Sequence, residues 1–161
     1  QNNNHIAFYS RSNTAAGSKS SMGAYKSATP APNPIYVLTL KNSLGNAGAF
    51  NTSQATASQY AFSANTDSKG LYVANKTSSA IGGLSIVKNG SILASNTAAI
   101  TQNDYPSLNL YIGASSTSVG CFQNDDKECA FASAGLGFTS GELSTFYTIV
   151  QAYQTQLNRQ V

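Results

Sequence analysis

The stretch Ala130 to Val161 (AFASAGLGFTSGELSTFYTIVQAYQTQLNRQV) holds the one segment with helical spacing, at the end of a chain that otherwise reads as strands and turns. Thr139 and Glu142 stand in the S/T-x-x-E relation of a capping box, in which each side chain can take an unpaired N–H at the helix start. Leu143, Phe146, Tyr147, Val150, Tyr153 and Leu157 follow as one apolar stripe. Asn158, a residue that tolerates the left-handed conformation, supplies the stop. The spacing predicts a helix over about 140–157. One amphipathic helix must lay its stripe on something, and the only partner this chain offers is a sheet.

Strand signals recur upstream, each bounded by Gly, Asn or Ser. His5 to Arg11 alternates Ile6 and Phe8 against Ala7 and Tyr9. Met22 to Lys26 is a second candidate. Pro30, Pro32 and Pro34 then form a stiff connection into Ile35 to Lys41, the strongest strand pattern in the chain. The run SLGNAGAFNTS reads as a loop. Ser58 to Ala64 and Gly70 to Lys76 follow, with the turn NTDSKG between them. Leu84 to Lys88 and Ser91 to Ser95 flank Asn89-Gly90, the pair suited to a two-residue type I′ hairpin turn. Leu108 to Ala114 and Ala130 to Gly135 complete the set. About eight or nine close-spaced antiparallel strands and one late helix predict an all-β fold, a two-sheet antiparallel sandwich or jelly roll. No repeat, linker or low-complexity block divides residues 1–161, so a single domain is expected.

Charged residues make up only 9% of the chain, against roughly 25% for an ordinary soluble domain. Ser, Thr, Asn and Gln therefore supply the polar surface, which suits an extracellular or virion protein or a chain held in a larger assembly. The net charge of +3 comes from scattered basic residues with no run or stripe, so no nucleic-acid footprint is indicated. No apolar stretch approaches the ~20 residues of a spanning helix, so no membrane insertion is expected. A start at Gln1, without a basic or apolar leader pattern, fits a processed chain or an excised domain.

The chain resembles a known family, most strongly from Leu84 to the end. KNG before a strand, then LNLYIGA, a variable insert, and AFASAGLGFTSGELSTFYTIVQAYQTQLNRQV are similar to the end of concanavalin A-like, laminin-G-like jelly rolls. The resemblance is closest to the C-terminal domains of bacteriophage tail and fibre proteins and of some bacterial surface proteins. HIAFYSRSN and GLYVANKTS extend it over most of the chain. Phe138 stands where that pattern usually has Leu, and Asn158 where it has Gly; each keeps the physical role. The resemblance implies a non-enzymatic module that binds a host cell-surface glycan or receptor, on a virion tail fibre or other extracellular surface. It also implies a homo-oligomer, commonly a trimer. The alternative is a structural virion or cell-surface domain that packs subunits and binds no sugar.

Specific chemistry is sparse. Glycan-cleaving sites need two converging carboxylates, and no E-x-D-x-E pattern occurs among Asp67, Asp104, Asp125, Asp126, Glu128 and Glu142. His5 lies near a terminus with no Ser-His-Asp set around it, so a structural role is expected and catalysis is not. Tyr105, with Asn103 and Asp104 in the loop TQNDYPS, best combines a ring for stacking on sugar with groups for its hydroxyls. Tyr25 and Tyr60 are weaker candidates, since an aromatic on a strand more often packs across the sheet. Asn124, Asp125, Asp126 and Glu128 form the densest oxygen cluster and are the candidate ligands for calcium; a solvated hairpin loop is the alternative. No other cofactor is indicated. Cys121 and Cys129 bracket that loop, either as a disulfide contributing ~2–3 kcal/mol or as two free thiols, and the residues leave both open.

Overall fold

Asn89 and Gly90 adopt φ of 50° and 79°, the paired positive values of a type I′ turn, and they close the hairpin their sequence predicts. The same strand-and-turn logic runs through the computed structural model, which describes residues 3–14, 17, 19–25, 34–52, 57–100 and 106–161. In chain order the strands are β1 (Asn4–Ser10), β2 (Met22–Tyr25), β3 (Ile35–Thr39), β4 (Asn46–Thr52), β5 (Ala61–Ala64) and β6 (Gly70–Lys76). They continue with β7 (Leu84–Lys88), β8 (Ser91–Ser95), β9 (Tyr111–Ile112), β10 (Ser115–Thr117), β11 (Gly120–Phe122) and β12 (Cys129–Gly135). Helix α1 (Ser140–Gln156) closes the chain. The connection carrying Pro30 and Pro32 lies outside the described residues.

Two sheets form a sandwich. One runs β12-β1-β6-β7-β8, antiparallel throughout. The other runs β11-β10-β2-β3-β4-β5, with β9 also on β2, and its β10–β2 pair is parallel. Alternation along β1 explains the layering. Ile6 and Phe8 point between the sheets, where they meet Tyr72, Ala74, Leu84 and Ile86 from the first sheet and Met22, Leu38, Ala47 and Ala49 from the second. Ala7 and Tyr9 point the other way and, with Leu71, Val73 and Val87, receive Leu143 and Val150 of α1. Each fully buried Ile, Leu or Phe contributes about 1.5–3 kcal/mol. The five-stranded sheet is therefore covered on both faces, by the other sheet and by the helix.

Three expectations are corrected. The run read as a loop before Thr52 is β4: its residues have low strand propensity, but Ala47 and Ala49 fit the narrow inter-sheet core. The strand expected over Leu108 to Ala114 is only β9, and the chain then makes two three-residue strands, β10 (SST) and β11 (GCF), too short to carry an apolar alternation. The helical stripe also turns off the core at its end. Tyr153 stands ~80° around the helix from Leu143 and is 51% exposed, and Leu157, the C-cap, is 37% exposed. Gln154 takes the buried position instead, its Nε2 donating to the Ala130 carbonyl at 3.4 Å.

Both ends of α1 are closed as the residues predict. The Thr139 N–H donates to Glu142 Oε2 at 2.7 Å and the Glu142 N–H to Thr139 Oγ1 at 3.3 Å, a complete capping box. Asn158 has φ of 53°; its N–H donates to the Thr155 carbonyl and that of Arg159 to the Gln154 carbonyl, the paired bonds of a Schellman stop. Thr139→Ala is expected to lower unfolding free energy by about 1 kcal/mol in urea titration. An unchanged midpoint would show that the cap is idle.

Two buried bases make stability depend on pH. His5 stacks on Phe138 at 4.2 Å, with Nδ1 2.6 Å from the Leu136 carbonyl and Nε2 3.1 Å from Ser133 Oγ. This is the structural role expected of it, and burial lowers its pKa from 6.5. The unfolded chain therefore binds the proton more tightly, so this contribution is complete above pH 6.5 and is lost as pH falls. Lys76 lies between the sheets, its Nζ donating to the Asn51 carbonyl at 3.2 Å, and burial pushes its pKa down to about 8 from 10.5. By the same sign, stability should rise as pH climbs from about 8 toward 10. Beyond that, Tyr60 and Tyr72, whose pKa values burial raises, reverse the trend. Urea midpoints across pH should show this rise, and Lys76→Met should flatten it; an equal rise in the variant would assign it elsewhere.

Candidate functional site

Strand β3 is apolar on both faces. Tyr36 and Leu38 point into the core, while Ile35, Val37 and Thr39 point to the outer face of the second sheet. The register sets Tyr25 beside Ile35, Val37 beside Phe50, and Gly48 beside Phe62. Among the described residues no helix covers this face. Five aromatic side chains stand on it, and Phe62 and Phe122 remain 38% and 47% exposed. Tyr25 and Phe122 face each other with centroids 6.4 Å apart and planes 29° apart. Phe50, Tyr60 and Phe62 form a tilted cluster with centroids 4.6–5.7 Å apart. Gly48 permits that cluster, because a Cβ there would lie 2.7 Å from the Phe62 ring and 2.9 Å from the Phe50 ring. Burial, and then the neighbouring Tyr25, push the Tyr60 phenol up to about 12, so it stays a neutral hydroxyl at physiological pH.

Between the two aromatic groups lies an open groove of about 440 Å³. Tyr25, Ile35, Val37, Phe50 and Phe122 make its floor and flanks, and Lys19, Thr39, Asn42, Ser43 and Gln123 give polar positions around them. Among the described residues no acidic side chain lines it, so these present no carboxylate pair for acid–base chemistry. A ring stacked on one of these faces would leave polar atoms at its rim within reach of Asn, Gln, Ser and Lys.

The groove wall is pinned by the loop between β11 and β12. Lys127 Nζ lies 2.8 Å from Asp125 Oδ1, with both side chains fully buried, and Ser21 Oγ donates to the same carboxylate. Lys19 pairs with Asp126, whose pKa is lowered to about 2 by Lys19 and then by Thr14. Arg11 meets Glu128 at 2.5 Å. Gln123, at φ of 53°, accepts from Ser20 Oγ at 2.8 Å.

These pairings bear on the calcium candidate. Asp125, Asp126 and Glu128 do not converge: each is turned toward its own cation, and Asn124 is exposed. Among the described residues no three His, Cys, Asp or Glu side chains come together as a metal site. Cys121 and Cys129 are both free and exposed, the first on the edge strand β11 and the second on the edge strand β12. Burial of its sulfur pushes the Cys129 thiol up, which makes it a poor nucleophile. Asn103, Asp104 and Tyr105 lie outside the described residues.

Sequence reasoning ranked Tyr25 and Tyr60 low because strand aromatics usually pack inward, and it missed Phe50, Phe122 and the polar rim. One signal was present: Ile35 and Val37 make β3 apolar on the face that an ordinary sandwich turns to water. No family model, curated protein or solved structure matches this chain.

Proposed function

We propose that this chain is a non-enzymatic glycan-binding module, of the kind displayed on a phage tail fibre or similar surface appendage, with the groove of the second sheet as its ligand site. The carrying observation is an aromatic sheet face that, among the described residues, is uncovered and has a polar rim without acids. Such a surface suits a neutral sugar, whose C–H face stacks on Tyr25 or Phe122 while its hydroxyls bond to Asn42, Ser43, Thr39 and Gln123. The resemblance of Leu84 to Val161 to the terminal domains of tail and fibre proteins supports the setting, a virion or extracellular surface, and a host cell-surface glycan as partner. The low charge agrees with it, since uncharged polar groups lose little on desolvation. In the competing reading the same apolar face packs on a neighbouring subunit and binds no sugar.

A glycan array separates the two. The expected result is saturable binding that free oligosaccharide competes away, with Tyr25→Ala and Phe122→Ala each weakening it about tenfold, the loss of one stacking contact. Failure to bind any glycan, or equal affinity in both variants, would remove the sugar-binding assignment.

A further inference from the structure

We infer that the free edge of β12 is a self-association surface, and that two copies of this chain join there across a two-fold axis into one continuous sheet. Among the described residues the strand ends its sheet, pairing only with β1. It is seven residues long, CAFASAG, with no charge and no proline. Edge strands of stable monomers are ordinarily protected by a lysine, a proline, a bulge or a covering element. Here the one irregularity is at Ala130, skipped between the Tyr9–Phe131 and Ser10–Cys129 pairs, which leaves Phe131 to Gly135 regular. The opposite edge, β8, is shorter, and a bulge interrupts its pairing with β7.

The surface beside this edge is apolar as well. Phe131 and Phe146 pack together at 5.9 Å where α1 passes over β12. On the flank of that helix, Ile149 is 61% exposed and Tyr153 is 51% exposed, and Leu136, just after the strand, is 70% exposed. These are the side chains that fail to reach the core, so the helix carries a second apolar ridge that its own sheet does not use.

The occupant that fits is a second copy. An antiparallel pairing of β12 with itself centred near Ala132 sets Phe131 against Ser133, large beside small and no like charges opposed. The two helices then lie antiparallel on the same side of the seam. Glu142, the only acid of the helix, is directed toward the end of the partner helix, which carries Arg159, and this complementarity repeats at both ends. A two-fold pair is the product of such isologous contact, where the family resemblance implied a trimer.

Light scattering of the purified full chain tests this independently of any ligand. The expected mass is twice the monomer's 16.8 kDa. Amides of Phe131 to Gly135 should be protected from hydrogen exchange at high protein concentration and lose protection on dilution. The double variant Ile149→Lys, Tyr153→Lys should raise the dimer dissociation constant at least about tenfold and keep the wild-type melting temperature at dilutions where both are monomeric, since both side chains are more than half exposed. A monomer at the highest concentration reached, a mass three times the monomer's, or a dimer unaffected by the double variant overturns the inference.

Discussion

Lys127→Ala should destabilise the protein by about 3–5 kcal/mol at neutral pH, read as a drop in unfolding free energy in urea. The reason is the carboxylate left behind. Asp125 and Lys127 both have fully buried side chains, 2.8 Å apart, so removing the amine strands a buried negative charge with only the Ser21 hydroxyl beside it. Breaking the Arg11–Glu128 pair makes the contrast, since its side chains are 34% and 57% exposed. Arg11→Ala should cost no more than about 1 kcal/mol. Replacing Asp125 and Lys127 together with apolar residues of similar volume should restore most of the loss, because the pair as a whole contributes little beyond its own desolvation. The pair also matters to the groove: its loop supplies Gln123 and adjoins Phe122, so Lys127→Ala should loosen one wall of the site. Equal costs for Lys127→Ala and Arg11→Ala would show that the buried pair is open to water.

Gly137→Ala should be the second large effect, about 3 kcal/mol from overpacking. A Cβ at that position would lie 2.3 Å from the Lys76 carbonyl oxygen, 2.5 Å from Asn3 Oδ1 and 3.2 Å from the Asn4 nitrogen. Two of these are backbone atoms of neighbouring strands, so the connection between β12 and α1 must move outward. Its neighbour Phe138 is clamped by Asn75, which accepts from the Phe138 N–H at 2.8 Å and donates to its carbonyl at 2.9 Å. Phe138 in turn stacks on Phe146 at 4.8 Å and on His5 at 4.2 Å. Displacing residue 137 should therefore lift the first turn of the helix, seen as lost helical dichroism before global unfolding. Gly141→Ala, where nothing lies within 4 Å of the new Cβ, should instead stabilise by up to about 1 kcal/mol. If both variants behaved alike, the close packing at Gly137 would be wrong.

Much of this fold was legible because its strongest signals are local. Asn89-Gly90, Thr139 with Glu142, and Asn158 each act through the backbone within a few residues, and each performs the role its sequence pattern predicts. Strands β4, β10 and β11 were not legible, because NAGAFNT, SST and GCF lack an alternating apolar pattern of strand-forming residues, and the β10–β2 pair joins segments about ninety residues apart. Small residues there satisfy a narrow core or a neighbouring ring, which propensity does not record. The acidic loop misled for a related reason: density of carboxylates along the chain says nothing of Lys19 and Arg11, which arrive from more than a hundred residues away and draw the oxygens apart. The groove was half visible. Tyr25 and Tyr60 were noticed singly, but only the register of β2, β3 and β4 reveals that their face also bears Val37 and Phe50.

One titration tests the central claim most directly: adding a glycan selected from the array to isotopically labelled protein while recording backbone and aromatic resonances. If the acid-free aromatic face is where sugar stacks, the largest perturbations fall on Tyr25, Val37, Phe50, Phe122 and Gln123, and the α1 side of the molecule stays unchanged. Perturbations that spare those five residues, or that cluster on the loop of Asn103, Asp104 and Tyr105, would contradict it.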